Sequence, residues 1–285
     1  MATDQDDINY EAEYDNRARV PEHPEIIAEW DRASDAWRQE MLSAGRARIG
    51  LSYGPHLRHG LDLFLPEEDR NGPIALFVHG GYWRSMERER FSHMAKGLTE
   101  HGVPVALISY RLCPEVEVSD IIEDARAATI WLWSEYKRKT LAIGHSAGGH
   151  LAACLLATDW TAQSDDLPEH LVPAAISFSG LFDLEPLLHT SINEDLGLTH
   201  SNVQNASPLT WPAPAGGWLE TFVGGDESDE YHHQSDSITK VWGEHGTHTR
   251  MHVIPRTNHF SVINTLADPE SDETARIAML AHSLE

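Results

Sequence analysis

The run Gly144-His145-Ser146-Ala147-Gly148 constrains this chain more than any other feature. An apolar stretch, Thr140-Leu141-Ala142-Ile143, precedes it, and the helical pattern Leu151-Ala152-Ala153-Cys154-Leu155-Leu156-Ala157 follows. Strand, sharp turn and helix in that order hold the serine on a strained bend and lift its hydroxyl clear of the sheet. Glycine is required on both sides, because a Cβ there would collide with neighbouring backbone. The competing reading is an ordinary glycine-rich strand-to-helix turn.

A serine hydroxyl is a poor nucleophile at neutral pH. It needs a base, the base needs an anchor, and the oxyanion formed on a carbonyl needs donors already in place. The chain carries candidates in the order serine, acid, histidine. Upstream, Pro73-Ile74-Ala75-Leu76-Phe77-Val78 reads as a buried strand running into His79-Gly80-Gly81-Tyr82-Trp83. Downstream, Trp218-Leu219-Glu220-Thr221-Phe222-Val223 reads as a strand ending in Gly224-Gly225-Asp226-Glu227-Ser228. The short strand Met251-His252-Val253-Ile254-Pro255 then leads to Arg256-Thr257-Asn258-His259-Phe260. Ser146 is therefore the expected nucleophile, His259 the base and Asp226 the anchoring acid, with Glu227 and Asp229 as rivals to Asp226. The amides of Gly81, Tyr82 and Ala147 are the expected oxyanion donors. His145 and His150 flank the serine and read as structural, since the base must come from a distant segment.

Strand and helix patterns alternate along the whole chain, without repeat or linker. This predicts one α/β domain over residues 1–285, with a mostly parallel sheet flanked by helices and right-handed crossovers. Helices are expected over residues 23–42, 91–101, 118–136, 231–245 and 261–284. Strands are expected over 47–53, 61–65, 74–78, 103–110 and 174–179. The first strands, joined by short turns, should be antiparallel. Residues 1–9 read as disordered. Between residues 180 and 214 the regular pattern dissolves into apolar residues broken by prolines, which suggests a small cap; a long surface crossover is the plainer alternative.

The formal charge is −24. A polyanion would repel nucleic acid and anionic membranes, so neither is an expected partner. The two cysteines, Cys113 and Cys154, form no disulfide framework. The amino terminus lacks the basic and apolar regions of a signal peptide, so the expected compartment is the cytoplasm. Histidines cluster at His232-His233 and at His245 and His248, but not in a helical metal-site spacing. No metal and no other cofactor are expected. The sequence leaves a homodimer open.

The segments His79-Gly80-Gly81-Tyr82-Trp83, Gly144-His145-Ser146-Ala147-Gly148 and Asn258-His259-Phe260 together resemble the α/β-hydrolase family. Within it, the Tyr-Trp pair after two glycines is similar to the kynurenine formamidases, or arylformamidases. The likeness runs from about residue 50 to the end of the chain. It takes in Leu156-Ala157-Thr158-Asp159-Trp160-Thr161, Phe182-Asp183-Leu184-Glu185-Pro186, Asn205-Ala206-Ser207-Pro208 and Tyr231-His232-His233-Gln234-Ser235. Two positions depart from the family pattern: Asn258, where an aspartate often stands, and Gly149, where an alanine is common. The resemblance implies the α/β-hydrolase fold, with Ser146, Asp226 and His259 as nucleophile, acid and base. It implies hydrolysis of an aryl-formamide such as N-formyl-kynurenine to arylamine and formate. Formyl is the smallest acyl group, so Tyr82 and Trp83 are expected to bound a tight acyl pocket. Phe182 and Trp211 are expected in an aryl pocket built by residues 182–211. The alternatives are a short-acyl carboxylesterase and a non-catalytic small-molecule receptor on the same scaffold; the presence of all the reactive groups weighs against the receptor.

Overall fold

The computed structural model describes residues 8–284. Its framework is an eight-stranded sheet: β1 (Ala47–Ser52), β2 (Gly60–Phe64), β3 (Ile74–Val78), β4 (Val105–Ile108), β5 (Thr140–His145), β6 (Ala174–Phe178), β7 (Trp218–Gly224) and β8 (His248–Ile254). The spatial order is β1-β2-β4-β3-β5-β6-β7-β8. β1 pairs antiparallel with β2, and β2 with β4. Every later pair is parallel, from β3 with β4 to β7 with β8. The mostly parallel sheet with antiparallel first strands is what the alternating pattern predicts, and the arrangement is the α/β-hydrolase fold that the resemblance implies.

The central strands are uninterrupted apolar runs because both faces of the sheet are covered. β3, β4, β5 and β6 are buried at every residue. Alternate side chains serve opposite cores. Leu76, Val78 and Ala142 pack into one cluster with Ile121, Leu151 and Ile238 from the helices Val118–Tyr136, Ala147–Leu156 and Asp229–Glu244. Ala75, Phe77, Leu141 and Ile143 pack into the other, against Trp30, Trp37 and Ile277 of the helices His23–Ser43 and Asp272–Ser283.

Two expected helices are broken. Residues 91–101 form a 3-10 stretch, Arg88–Ala95, followed by a short α-helix, Lys96–Glu100. Residues 261–284 divide into a 3-10 turn, Val262–Ala267, and the helix Asp272–Ser283. The second break has a plain cause: Pro269 forces Asp268 before it out of the helical region, to φ −103° and ψ 109°. Residues 180–214 are short turns of helix, among them Glu185–His189, Asn193–Leu196 and Val203–Ala206. Of the stretch 1–9, residues 1–7 lie outside the described residues; Asn9 caps the helix Tyr10–Tyr14 by accepting from the Ala12 amide. Among the described residues no helix is long and apolar enough to cross a membrane.

Candidate active site

β5 ends at His145, and the next residue turns the chain sharply into the helix Ala147–Leu156. Ser146 sits at φ 57° and ψ −119°. For a residue with a Cβ this is a strained conformation, held only because its surroundings over-determine it. The flanking glycines are part of that restraint. A Cβ on Gly144 would stand 2.0 Å from the Gly148 carbonyl oxygen, and one on Gly148 would stand 1.9 Å from that of Val78. The Ser146 amide donates to the Phe178 carbonyl at 2.8 Å, which ties the bend to β6.

The loop after β3 lies directly on this bend. A Cβ on Gly80 would meet Ser146 Cβ at 3.1 Å and the His145 carbonyl oxygen at 2.9 Å. Gly81 has φ 112°, and Tyr82 and Trp83 follow at φ 48° and 54°. His79 Nδ1 donates to the Gly80 carbonyl at 2.7 Å, and the Tyr110 hydroxyl donates to the His79 carbonyl at 2.9 Å, which fixes the loop from below. Among the described residues the amides of Gly81, Tyr82 and Ala147 have no acceptor. Amides left unpartnered beside a serine hydroxyl are donors available to a ligand oxygen.

His259 follows β8 and is 5% exposed. Its Nδ1 donates to Glu227 Oε2 at 2.7 Å, which leaves Nε2 with a free lone pair. The carboxylate partner is therefore Glu227 and not Asp226, which corrects the sequence expectation. The reason is the turn after β7. The Glu227 amide donates to the Gly224 carbonyl at 3.2 Å, so the fourth residue of the turn folds back over the strand end. Asp226 occupies the outer corner and faces solvent. Glu227 Oε1 also accepts from Ser179 Oγ at 2.5 Å and from the Gly224 amide at 2.7 Å. Three donors hold a fully buried carboxylate in one orientation. Asp229 begins the next helix and is exposed.

Burial sets the protonation of the surrounding histidines. His145 Nε2 donates to the His259 carbonyl at 2.7 Å. Loss of solvent, and then repulsion by His259, hold His145 well below the ordinary histidine value, so it stays neutral and steadies the His259 backbone. Burial lowers His79 to about 3 and His150 to about 4. The other histidine clusters have structural partners: His245 Nδ1 bonds the Val241 carbonyl at 2.7 Å, and His248 stacks on Trp218 at 4.7 Å.

Ser146 and His259 open onto a cavity of roughly 190 Å³ that Gly81 and Tyr82 also line. Three expected wall residues are elsewhere. Trp83 is fully buried, with its indole edge-on to His150 at 4.9 Å. Phe182 is fully buried in the core, and its amide donates to Gln234 Oε1 at 2.7 Å. Trp211 donates from Nε1 to the Gln204 carbonyl at 3.1 Å and lies under the Arg126 guanidinium, away from the cavity. The apolar residues of 180–214 are used up in filling the core, and only Ser191 and Ile192 of that segment reach the cavity.

The missing wall is the amino-terminal segment. Glu11, Tyr14, Asp15, Asn16 and Arg17 line the cavity from two one-turn helices, Tyr10–Tyr14 and Asn16–Arg19. Asp15 caps the second by accepting from the Ala18 amide at 3.0 Å. Glu11 accepts from the Ser191 amide at 2.6 Å and from its hydroxyl at 2.7 Å, which fastens this strap across the site and draws the Glu11 carboxyl below its usual range. The local signals, capping residues at Asn9 and Asp15 and tyrosines four apart, are visible in sequence. They do not reveal where the strap lands.

A family model, BD-FAE, matches residues 61–211. The kynurenine formamidase of Drosophila melanogaster is 30% identical over 238 residues, covering 76% of this chain and 78% of the relative. That of Danio rerio is 29% identical over 234 residues, covering 79% of each. A crystal structure of a candidate thioesterase from Silicibacter sp. TM1040 superposes with a TM-score of 0.83 at 34% identity, covering 94% of this chain and 98% of that one.

Proposed function

Since this chain belongs to the α/β-hydrolase family, in its BD-FAE group and with kynurenine formamidases among its relatives, we propose that it is an aryl-formamidase acting through Ser146, His259 and Glu227. That it is a hydrolase of amide or ester bonds follows from the same kinship. The observation that carries the finer reading is the anchored base, Nδ1 of His259 on buried Glu227 at 2.7 Å, opening onto one small cavity with Ser146.

In this mechanism Ser146 Oγ attacks the formyl carbon while His259 Nε2 takes the hydroxyl proton. Glu227 keeps Nδ1 protonated and stabilises the imidazolium that forms. The carbonyl oxygen becomes an oxyanion against the amides of Gly81, Tyr82 and Ala147. The C–N bond then breaks, and His259 returns the proton to the departing arylamine. Water, deprotonated by the same imidazole, attacks the formyl ester, and formate leaves as Ser146 regains its proton.

Tyr82 supports a small acyl group. Its hydroxyl is tied to the Tyr14 carbonyl at 2.7 Å and to the Tyr231 hydroxyl at 2.7 Å, so the ring is a rigid wall. The rim supports a charged aryl partner. Arg17 lines it without a carboxylate partner among the described residues, in a chain of net charge −24, while Glu11 and Asp15 line the same rim. A substrate bearing both an amino and a carboxylate group, as N-formyl-kynurenine does, meets complementary charges there. The likeness to a candidate thioesterase favours a short-acyl esterase as the second reading.

The test is turnover by purified protein of N-formyl-kynurenine, formanilide, acetanilide, butyranilide and p-nitrophenyl acetate. Preference for formyl over acetyl and butyryl on one aryl group is expected. Efficient turnover of the ester alone, or rates that stay flat along the anilide series, would replace the formamidase with the esterase reading.

A further inference from the structure

One wall of the cavity is held in place from the strap. Tyr82 lines the cavity together with Ser146, and its backbone sits at φ 48°, a region that residues with a Cβ rarely occupy. Its hydroxyl reaches three partners. It donates to the Tyr14 carbonyl at 2.7 Å, meets the Tyr231 hydroxyl at 2.7 Å and accepts from Asn16 Nδ2 at 3.2 Å. Tyr14 and Asn16 both belong to the strap, while Tyr231 comes from the helix Asp229–Glu244 and is fully buried.

The protons at this junction can be counted. Burial pushes the Tyr82 phenol far up, so it keeps its one proton, and that proton goes to the Tyr14 carbonyl. Tyr231 therefore donates to Tyr82 and not the reverse. Asn16 Nδ2 carries two hydrogens; it donates to the Tyr82 oxygen and, at 2.8 Å, to the Tyr231 oxygen. The Tyr82 hydroxyl thus gives one bond and accepts two, which is its full capacity. Two of the three come from the strap. Tyr14 is fixed in turn by its own side chain, whose hydroxyl donates to Glu230 Oε2 at 3.2 Å and accepts from Gln234 Nε2 at 2.9 Å. Asn16 bonds both phenol oxygens, so it locks the pair together.

We propose that Asn16 is a specificity-determining residue: by holding the Tyr82 hydroxyl it keeps the Tyr82 ring in place as the end wall of the acyl site, so that the strap excludes acyl groups longer than formyl. The proposal rests on the aryl-formamidase reading and deepens it. In that reading the Tyr82 amide is an oxyanion donor, so a carbonyl held there brings its acyl substituent up to the side chain of the same residue. A ring free to swing gives way to added methylenes. A ring tied at its far end does not, and each methylene rejected by such a wall is worth about 10- to 200-fold in discrimination.

The test is kcat/KM for formanilide and for butyranilide in the wild type, Asn16→Ala, Tyr82→Phe and the double variant, with melting temperature measured alongside. Tyr82→Phe keeps the ring and the amide and removes only the hydroxyl through which the strap holds them. Each single variant should gain on butyranilide by at least about fivefold, and the formanilide-to-butyranilide ratio should fall with it. General damage to the fold would lower both rates and give no gain. The double variant should gain no more than Tyr82→Phe alone, because Asn16 acts through the hydroxyl that is already gone. Should Asn16→Ala fail to fold, Tyr82→Phe gives the same reading by itself. Absence of the gain in folded Asn16→Ala or in Tyr82→Phe, or gains that multiply in the double variant, would overturn the proposal and leave the aryl-formamidase reading standing. A wild type that cleaves butyranilide as well as formanilide would instead overturn that reading and, with no exclusion left to explain, the proposal with it.

Discussion

The strand-end loops that carry Ser146, Glu227 and His259 and the strap that covers them are held by different forces. The loops are fixed by the backbone. Ser146 is pinned at a positive φ, glycines pack within contact distance of neighbouring carbonyls, and Glu227 is bound by three donors. Residues 10–19 are two capped helical turns joined to the body mostly by side chains, Glu11 to Ser191 and Asn16 to Tyr231. Rigid backbone suits groups whose geometry must survive every turnover. Side-chain attachment suits a wall that sets which molecule enters. The segment 180–214 shows the contrast from the other side. Its apolar residues bury themselves so fully that little of it is left to form a wall.

The largest expected effect tests the rigid half. Ser146→Ala should lose at least about a thousandfold in kcat, and Glu227→Gln a comparable factor, because the imidazole would lose its anchor and tautomer. Asp226→Asn should stay within about twofold of wild type, since its side chain faces solvent. Steady-state kinetics of the three variants decide it. Equal losses from Asp226→Asn and Glu227→Gln would mean that the turn after β7 takes another form in solution.

The segment 180–214 should answer in stability and not in chemistry. Phe182→Ala removes a fully buried ring and should cost about 3–5 kcal/mol in urea unfolding. In the fraction that remains folded, KM should move little. A large rise in KM at unchanged stability would restore Phe182 to the substrate pocket.

Acid should loosen the strand-end region through its neutral histidines. His79 and His150 are held at about 3 and about 4 when folded, against 6.5 when free. The unfolded chain therefore binds more protons below pH 6.5. Their stabilising contribution is complete above that value and is lost as pH falls toward 4. Each adds a slope of about 1.4 kcal/mol per pH unit within the window. Unfolding free energies at pH 7.5, 6 and 5 should fall accordingly, and His150→Gln should flatten the slope by one proton. An unaltered slope in that variant would show that His150 takes up a proton in the folded state.

The smallest effect belongs to the strap. Arg17→Ala should raise KM for N-formyl-kynurenine by about five- to tenfold and leave formanilide, which has no carboxylate, unchanged. A parallel rise for both substrates would make Arg17 a packing residue and not a reader of charge.

The sequence by itself determined the features whose physics is local. Strand β5, the bend at Ser146 and the following helix were legible because apolar runs and two obligatory glycines can only be satisfied one way along a continuous stretch. The alternation of strands and helices carried the parallel sheet, and hence the rim where His79, Ser146 and His259 meet. Three matters were decided only by tertiary structure. Which of Asp226, Glu227 and Asp229 faces His259 depends on how a four-residue turn folds back, and composition does not encode that. Whether Phe182, Trp83 and Trp211 line a cavity or fill a core depends on what space the neighbouring helices leave, since an apolar side chain serves either use equally well. The strap was hidden for a related reason. Its contacts join Asn16 to residues 66 and 215 positions away, and hydrogen bonds across such distances leave no periodicity in the chain that makes them.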